Sequence, residues 1–357
     1  MKEESLGLLK DLAELEGVSG FEEDVRSYIR GELKDRSEIE KDNLGNLLCK
    51  KTGTSDGPRL MIPAHMDEIG FMVKDIDENG YLKFAPLGGW LDHVLLAHTV
   101  KVKTRKGALK GVIGCKPPHL MSASERKKLI RRKKMFIDVG ADDREDAEEN
   151  LGVRVGDPVV PIQKFSRMQN EKYLLCKAWD DRVGCALVVD LLKELDDIEH
   201  PNTVFGVGTV QEEVGARGAE TAADAVDPDL CIALDVSVAT DVPGIENERK
   251  TELGKGPIIS IRDAGTIGHH KFTQFIIDLA EEKNIPVQLN VVEGGATDAK
   301  AIHLHGTGVP SVLLGVPTRY IHSHAGIIHT DDYDATLDLL KEVAAAVGPE
   351  QAAEFTA

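Results

Sequence analysis

The chain alternates amphipathic stretches with short apolar runs. Amphipathic helices are predicted over Leu6–Leu15 and Phe21–Leu33, and Glu22 and Glu23 lie in the first turn of the second, where carboxylates favour the helix dipole. Apolar runs of strand length lie at 59–64, 203–210, 230–234 and 311–316, with further helical patterns at 182–195, 269–283 and 333–347. Because continuously apolar strands are typical of a sheet covered on both faces, the alternation predicts an α/β fold.

The segment from about Phe71 to Gln163 has a different pattern. Short alternating stretches such as His98–Thr104 are interrupted by glycines, which is typical of a small β-rich domain inserted into an α/β chain. Within this segment, 126–134 holds seven basic residues in nine and 142–149 is acidic. We interpret the basic run as a solvated loop or a subunit contact. The final residues, 348–357, are expected to fray.

Composition excludes several classes of partner. The net charge of −18 argues against nucleic acid, since that affinity comes largely from basic side chains. Aromatic residues make up only 4% of the chain, which disfavours a carbohydrate groove. No uncharged run approaches the ~18 residues of a membrane span, and the first residues lack the apolar core of a signal peptide. The five widely spaced cysteines indicate reduced thiols, so a cytoplasmic location is expected.

Polar residues of metal-binding type follow the apolar runs. They are His65, Asp67 and Glu68 after the first run, Glu212 and Glu213 after the second, Asp235 after the third and His322 after the fourth, with Asp180 and Asp181 at the start of a predicted helix. In an open α/β sheet, ligands bind beyond the carboxyl ends of the strands. The sequence therefore predicts that these side chains meet in one site.

Two imidazoles and several carboxylates form a donor set suited to two divalent ions, such as zinc, cobalt or manganese. A cluster of four carboxylates would be very unfavourable in a closed site without such ions. One carboxylate bridging two ions would leave an open position for water, whose pKa such ions lower to about 7. Glu212 and Glu213 are adjacent, so on an extended strand they point in opposite directions. A turn at the strand end would bring both to the site, one as ligand and one as base.

Taken singly, each of these residues has an ordinary structural explanation, and their common place in the topology is what favours a site. Spacing alone leaves His324 or His329 open as a ligand in place of His322. The Gly294–Asp298 turn could lie beside a substrate or only shape a loop. The chain contains no G-x-S-x-G elbow, P-loop or dinucleotide fingerprint, so serine hydrolase, kinase and dinucleotide-binding functions lack their signals.

Five ordered motifs resemble the M42 family of metallo-aminopeptidases, which includes the tetrahedral TET enzymes. The motifs are Ala64-His-Met-Asp-Glu68, Ala178-Trp-Asp-Asp-Arg-Val-Gly184, Gly208-Thr-Val-Gln-Glu-Glu-Val-Gly-Ala-Arg-Gly-Ala219, Ala233-Leu-Asp235 and Pro317-Thr-Arg-Tyr-Ile-His-Ser323. The resemblance extends over nearly the whole chain, including Gly88-Gly89-Trp90. After His322 and Ser323 the chain reads His324-Ala-Gly-Ile-Ile-His329, where several relatives carry a proline and an acidic residue.

The resemblance implies a role for each site residue. His65 and Asp235 would bind one metal, Glu213 and His322 would bind the other, and Asp180 would bridge both. Glu212 would be the general base, and Asp67 would hold the His65 imidazole in its orientation. The implied cofactors are two divalent ions per subunit, most readily zinc or cobalt.

The resemblance also implies a mixed-sheet, zinc-peptidase-like catalytic domain, residues 1–68 and 165–357, with a PDZ-like β-barrel oligomerisation domain inserted at 69–164. Members of the family commonly form dodecamers, so a homo-oligomer acting on peptides is expected, without membrane or nucleic-acid partners. Relatives with acidic, basic or aliphatic preferences share these motifs. The alternatives are a related dinuclear deacylase or carboxypeptidase, a two-carboxylate glycosidase, and a peptide-binding scaffold without catalysis.

Overall fold

A computed structural model describes residues 1–54, 57–245 and 250–357. Its helices are α1 (Glu3–Glu14), α2 (Glu23–Leu33), α3 (Ala123–Arg126), α4 (Trp179–Glu194), α5 (Arg217–Val226), α6 (His270–Glu282), α7 (Ala299–Ile302), α8 (Thr330–Ala346) and α9 (Pro349–Thr356). Its strands are β1 (Glu38–Lys41), β2 (Leu47–Thr52), β3 (Arg59–His65), β4 (Gly70–Ile76), β5 (Leu82–Leu87), β6 (Thr99–Thr104), β7 (Gly107–Gly114), β8 (Phe136–Asp138), β9 (Pro158–Pro161), β10 (Ser166–Arg167), β11 (Tyr173–Cys176), β12 (Thr203–Thr209), β13 (Leu230–Val238), β14 (Ile258–Arg262), β15 (Gln288–Val291), β16 (Ser311–Thr318) and β17 (Gly326–His329).

A mixed sheet forms the centre of the protein. Within the described residues its strand order is β1-β2-β12-β3-β13-β16-β14-β15. The neighbours β12, β3, β13 and β16 run parallel, whereas β2 and β14 pair antiparallel with the two sides of this group. These four parallel strands coincide with the four apolar runs of the sequence. Their carboxyl ends therefore lie together at one edge of the sheet.

Helices cover both faces of the sheet. Along β13, Leu230, Ile232 and Leu234 pack into the core that contains α1, α2, α4, α6 and α8. The alternate residues Cys231 and Ala233 face the smaller core formed with α5 and α7. Because successive side chains of a strand point to opposite faces, a strand covered on both sides must be apolar throughout. The predicted α/β class is confirmed.

The inserted segment forms a closed barrel in the strand order β4-β5-β8-β7-β6-β9. Alternate residues such as Phe71, Val73, Val100 and Val102 fill its interior, which explains the alternating pattern of the sequence. A short sheet of β10, β11 and β17 lies elsewhere in the chain. The predicted β-barrel is confirmed.

The expectation that residues 348–357 fray is wrong. They form α9, which begins with Pro349, a residue favoured in the first turn of a helix. Phe355 is buried, and its ring lies 5.0 Å from that of Phe272 and 5.4 Å from that of Phe275 in α6. The apolar contact of a single aromatic side chain thus holds this terminal helix against the core.

None of the helices in the described parts of the chain combines the length and the apolar character that crossing a membrane requires.

Candidate metal centre

The site lies at the edge where the parallel strands end. His65 is the last residue of β3 and is in register with Thr209, the last residue of β12. Asp235 lies within β13, one strand further along. His322 follows β16, and Asp180 is in the first turn of α4. The topology thus brings together residues that are far apart in the sequence, as the strand-end argument predicts.

Two groups of possible metal ligands share one carboxylate. In the first group, donor atoms of His65, Asp180 and Asp235 all lie within 4.8 Å of one another. In the second, the same is true of Asp180, Glu213 and His322. Asp180 directs one oxygen to each histidine, with 2.9 Å from Oδ1 to His65 Nε2 and 3.3 Å from Oδ2 to His322 Nε2. This carboxylate is placed to bridge two cations.

The carboxylates of the site crowd one another in a buried setting. Burial raises the pKa of Glu213 and Asp235 well above the usual range, and the nearby Asp180 carboxylate adds to both increases. Glu213 Oε1 is buried without a hydrogen-bond partner in the described structure. A divalent cation would neutralise this charge and would give the orphaned oxygen a partner. The donor set therefore fits two divalent ions.

Glu212 stands beside this group without belonging to either set of ligands. Burial raises its pKa to about 8, and the carboxylates of Asp298 and Asp180 add to the increase. Glu212 and Glu213 both line the same cavity. The chain turns directly after β12, where Gln211 adopts a φ of 57°. A turn of this kind brings two adjacent glutamates to one cavity, which an extended strand would not do.

Asp67 contacts this turn more closely than it contacts the imidazole. Its carboxylate accepts hydrogen bonds from the backbone N–H groups of Glu212 and Glu213, at 2.9 and 3.1 Å, and from Ser19 Oγ at 2.6 Å. His65 Nδ1 lies 2.9 Å from the backbone oxygen of Asp67 and 3.5 Å from its carboxylate. The main chain at this position orients the imidazole, because the carboxylate is occupied by the turn.

The three histidines that spacing left open lie in different surroundings. His322 Nε2 is 3.3 Å from Asp180 and 3.5 Å from Glu213. The ring of His324 is instead centred 3.3 Å from that of His98. His329 Nδ1 accepts the N–H of Asp331 at 3.2 Å and so caps α8. Of the three, the structure brings His322 to the candidate ligands.

The barrel contributes part of the wall of the site. A Cβ placed on Gly88 would lie 2.8 Å from Glu213 Oε2, and one placed on Gly89 would lie 2.9 Å from His322 Nδ1. At either distance the side chain of Glu213 or His322 would have to shift from its place in the site. Gly88 also has a φ of 81°, which glycine adopts readily. The Gly88-Gly89 sequence therefore allows the barrel to approach the ligands closely.

A cavity of about 840 Å³ opens beside the ligands. The Gly294–Thr297 turn forms part of its lining, together with Ser260 and Asn290 from neighbouring strands. Behind this turn, the buried Asp298 accepts a hydrogen bond from the hydroxyl of Thr209. The turn thus lies beside the cavity, as the first of the two alternatives for this sequence predicts.

Glu68, which the sequence grouped with the candidate ligands, lies instead in a buried ionic cluster below the site. Arg182 is fully buried and donates to the carbonyl oxygens of Leu12, Met66 and Gly17. The buried Glu68 accepts from Lys177 Nζ at 2.6 Å and lies 3.6 Å from Arg182. In the sequence, Glu68 lies in the same motif as His65, and Arg182 lies in the same motif as Asp180. These positions were the feature of the sequence that could have indicated the cluster. The cluster joins α1 and α4 to the segment after β3.

Sequence comparison with known proteins identifies the family of this chain. The family described as M42 glutamyl aminopeptidase matches residues 45–339. The glutamyl aminopeptidase of Lactococcus lactis subsp. cremoris is 36% identical over 350 residues, which cover 97% of this chain and 98% of that protein. The chain belongs to the M42 peptidase family, and it is an aminopeptidase.

Solved structures show the same fold. The TET aminopeptidase from the marine sediment archaeon Thaumarchaeota archaeon SCGC AB-539-E09 superimposes with a TM-score of 0.96, at 42% identity and 99% coverage of both chains. The TET1 peptidase of Pyrococcus horikoshii gives a TM-score of 0.86 at 34% identity, over 96% of this chain and 100% of that one. The latter is described as assembling into a tetrahedron or a large octahedral shell.

Proposed function

We propose that this aminopeptidase removes N-terminal residues from peptides with two divalent ions. His65 and Asp235 would hold one ion, Glu213 and His322 would hold the other, and Asp180 would bridge them. The two oxygens of Asp180, each facing a different histidine, are the observation that supports this assignment most strongly. Zinc or cobalt suits a set of imidazole and carboxylate donors.

Bound ions of this kind supply Lewis acidity, which polarises the peptide carbonyl and makes water a stronger acid. The chain's own contribution is the handling of protons. Glu212 would take a proton from the attacking water and then pass it to the leaving amine. Asp67 would hold the turn that carries this glutamate, through the backbone N–H of Glu212. The cavity beside the ligands would accommodate the N-terminal residue of the peptide.

The proposal also includes the boundaries of the two domains and the assembly of the subunits. A catalytic domain at 1–68 and 165–357 would carry every ligand. The insert at 69–164 would contribute contacts between subunits and the glycine wall, by which we mean Gly88 and Gly89 beside the ligands. We expect a homo-oligomer, up to a dodecamer, because the structurally similar Pyrococcus horikoshii enzyme assembles into shells. The free cysteines, four of them buried, support a cytoplasmic location.

Product mapping by mass spectrometry tests the proposal. An unmodified peptide mixture and its N-acetylated counterpart would be incubated with the protein, before and after chelation and with zinc or cobalt added back. We expect stepwise loss of N-terminal residues from the free peptides only, stopped by the chelator and restored by the metal. Cleavage from the other end, or of acyl groups alone, would instead support a carboxypeptidase or deacylase. Absence of metal-dependent cleavage would refute the proposed chemistry.

A further inference from the structure

The turn after β12 is held by side chains from other parts of the chain. The N–H of Val210 donates to Asn46 Oδ1 at 3.0 Å, and that of Gln211 donates to Glu22 Oε1 at 3.2 Å. The next two N–H groups, those of Glu212 and Glu213, donate to the Asp67 carboxylate. The position of the turn therefore depends on these three acceptors.

Glu22 is a costly residue to bury at this place. Its side chain is only 4% exposed, and no ion pair found among the described residues includes it. Its partners are the backbone N–H groups of Gly20, at 2.6 Å, and of Gln211. Burial raises the pKa of Glu22, although these N–H groups oppose the increase. Burying a carboxylate costs free energy, which hydrogen bonds offset. Here those hydrogen bonds come only from the backbone, so they fix the conformation of the main chain around Glu22.

The residue that Glu22 holds has an uncommon backbone conformation. Gln211 has a φ of 57°, in the left-handed region, which costs a residue other than glycine about 1 kcal/mol. Glu22 lies directly before α2, and its backbone oxygen accepts the N–H of Arg26. The acceptor is thus attached to a helix that packs in the main core. A rigid element stabilises the strained residue beside the catalytic glutamate.

We propose that Glu22 is a positioning residue for Glu212. By accepting the N–H of Gln211, its carboxylate fixes the left-handed turn and so determines where the Glu212 carboxylate lies in the cavity. This inference depends on the proposed function only in taking Glu212 as the general base. Among the described residues, Glu22 belongs neither to the two candidate donor groups nor to the lining of the cavity.

The test compares substitutions that remove, shorten or retain the acceptor. Glu22→Ala removes it, Glu22→Asp withdraws the oxygen by one methylene, and Glu22→Gln retains an oxygen of the same reach. We expect kcat for a peptide substrate to fall about 10- to 100-fold in the alanine variant and less in the aspartate variant, with KM within about twofold. The glutamine variant should recover most of kcat. Glu40→Ala, at an exposed position of β1 where no ion pair is found among the described residues, is the matched control and should behave as wild type.

A second readout does not depend on activity. Hydrogen–deuterium exchange of the metal-free protein, followed by mass spectrometry, reports the amides of residues 211–213 directly. We expect faster exchange of these amides in Glu22→Ala than in wild type, and near-normal exchange in Glu22→Gln and Glu40→Ala. Metal content should stay close to wild type in all the variants, whereas the melting temperature should fall in Glu22→Ala, because two buried N–H groups lose their acceptor.

The outcomes separate the two proposals. An unchanged kcat and unchanged exchange in Glu22→Ala would overturn the positioning role. Equal losses in Glu22→Gln and Glu22→Ala would also overturn it, because the glutamine retains the acceptor. If the alanine variant does not fold, the comparison of Glu22→Asp with Glu22→Gln decides the question in the same way. If the wild-type protein shows no metal-dependent aminopeptidase activity, the proposed chemistry fails. The exchange data alone then test whether Glu22 holds the N–H of Gln211.

Discussion

The Asp67 carboxylate accepts the backbone N–H of Glu212 at 2.9 Å. Asp67 directly follows the strand end that carries His65, whereas Glu212 is in the turn after β12. Together with the hydrogen bond from the N–H of Glu213, this contact couples the segment after β3, whose last residue is a candidate ligand, to the turn that carries the candidate base. The position of Glu212 relative to the candidate ligands is therefore set by the main chain as well as by side chains.

Glu212→Gln should abolish turnover while both metals stay bound. The amide has nearly the same shape as the carboxylate but cannot accept a proton at neutral pH, and Glu212 belongs to neither donor group. We expect kcat to fall by about 100- to 10,000-fold. Metal content by mass spectrometry should remain two ions per chain. Retained activity would remove Glu212 as the base.

His322→Ala should empty one of the two metal sites. The side chain lies 3.3 Å from Asp180 and is exposed, so its removal should leave the fold intact. Metal titration should show one tight site instead of two. The matched control is His324→Ala, because that ring packs on His98 and should leave both sites unchanged. The reverse pattern would identify His324 as the ligand.

Arg182→Met should destabilise the protein strongly without touching the ligands. The substitution leaves several buried carbonyl oxygens without a donor and weakens the charge balance of Glu68. Removing one member of a buried ionic cluster typically costs about 3–5 kcal/mol. Urea unfolding of the variant and the wild type measures the difference. A change below about 1 kcal/mol would show that the cluster contributes little to stability.

The Asp332 carboxyl should make stability fall as the pH rises. Burial raises its pKa to about 7, although the N–H groups of Gly254 and Gly256 oppose the increase. The folded protein therefore binds this proton more tightly than the unfolded chain does. The resulting stability is present below pH 4 and is lost as the pH rises towards and through 7.

Asp332→Asn isolates this effect, because the amide does not titrate. Melting temperatures of metal-loaded wild type and variant should be compared between pH 4.5 and 8. We expect the advantage of the wild type over the variant to shrink as the pH rises. A constant difference across this range would show that Asp332 does not titrate there.

The pattern of the sequence predicted the parallel centre of the fold because β3, β12, β13 and β16 are covered on both faces. A strand that is buried on both faces is a continuous run of apolar residues in the sequence. The short terminal helix was missed because its stability comes from the packing of Phe355 on two residues of α6. Contacts of that kind have no local pattern.

The candidate ligands could be found for a similar reason, since His65, Glu213 and His322 lie at or after strand ends, Asp235 directly follows an apolar run and Asp180 lies in the first turn of a helix. Glu22 could not be found in this way. In the sequence it has the place of a helix-dipole residue, and only the tertiary structure turns its carboxylate towards Gln211. Nor does a one-dimensional motif show that the backbone oxygen of Asp67 lies closer to His65 Nδ1 than its carboxylate does.

The glycine wall limits which substitutions the inserted domain can accept. Gly88 and Gly89 lie in the barrel, yet a methyl group on either would press against Glu213 or His322. A larger residue at either position would require the ligand side chain that it meets to shift, so this short loop is constrained by the catalytic domain as well as by its own. Grafting the barrel of a relative into this chain would therefore succeed or fail according to how its loop fits around the two ligands.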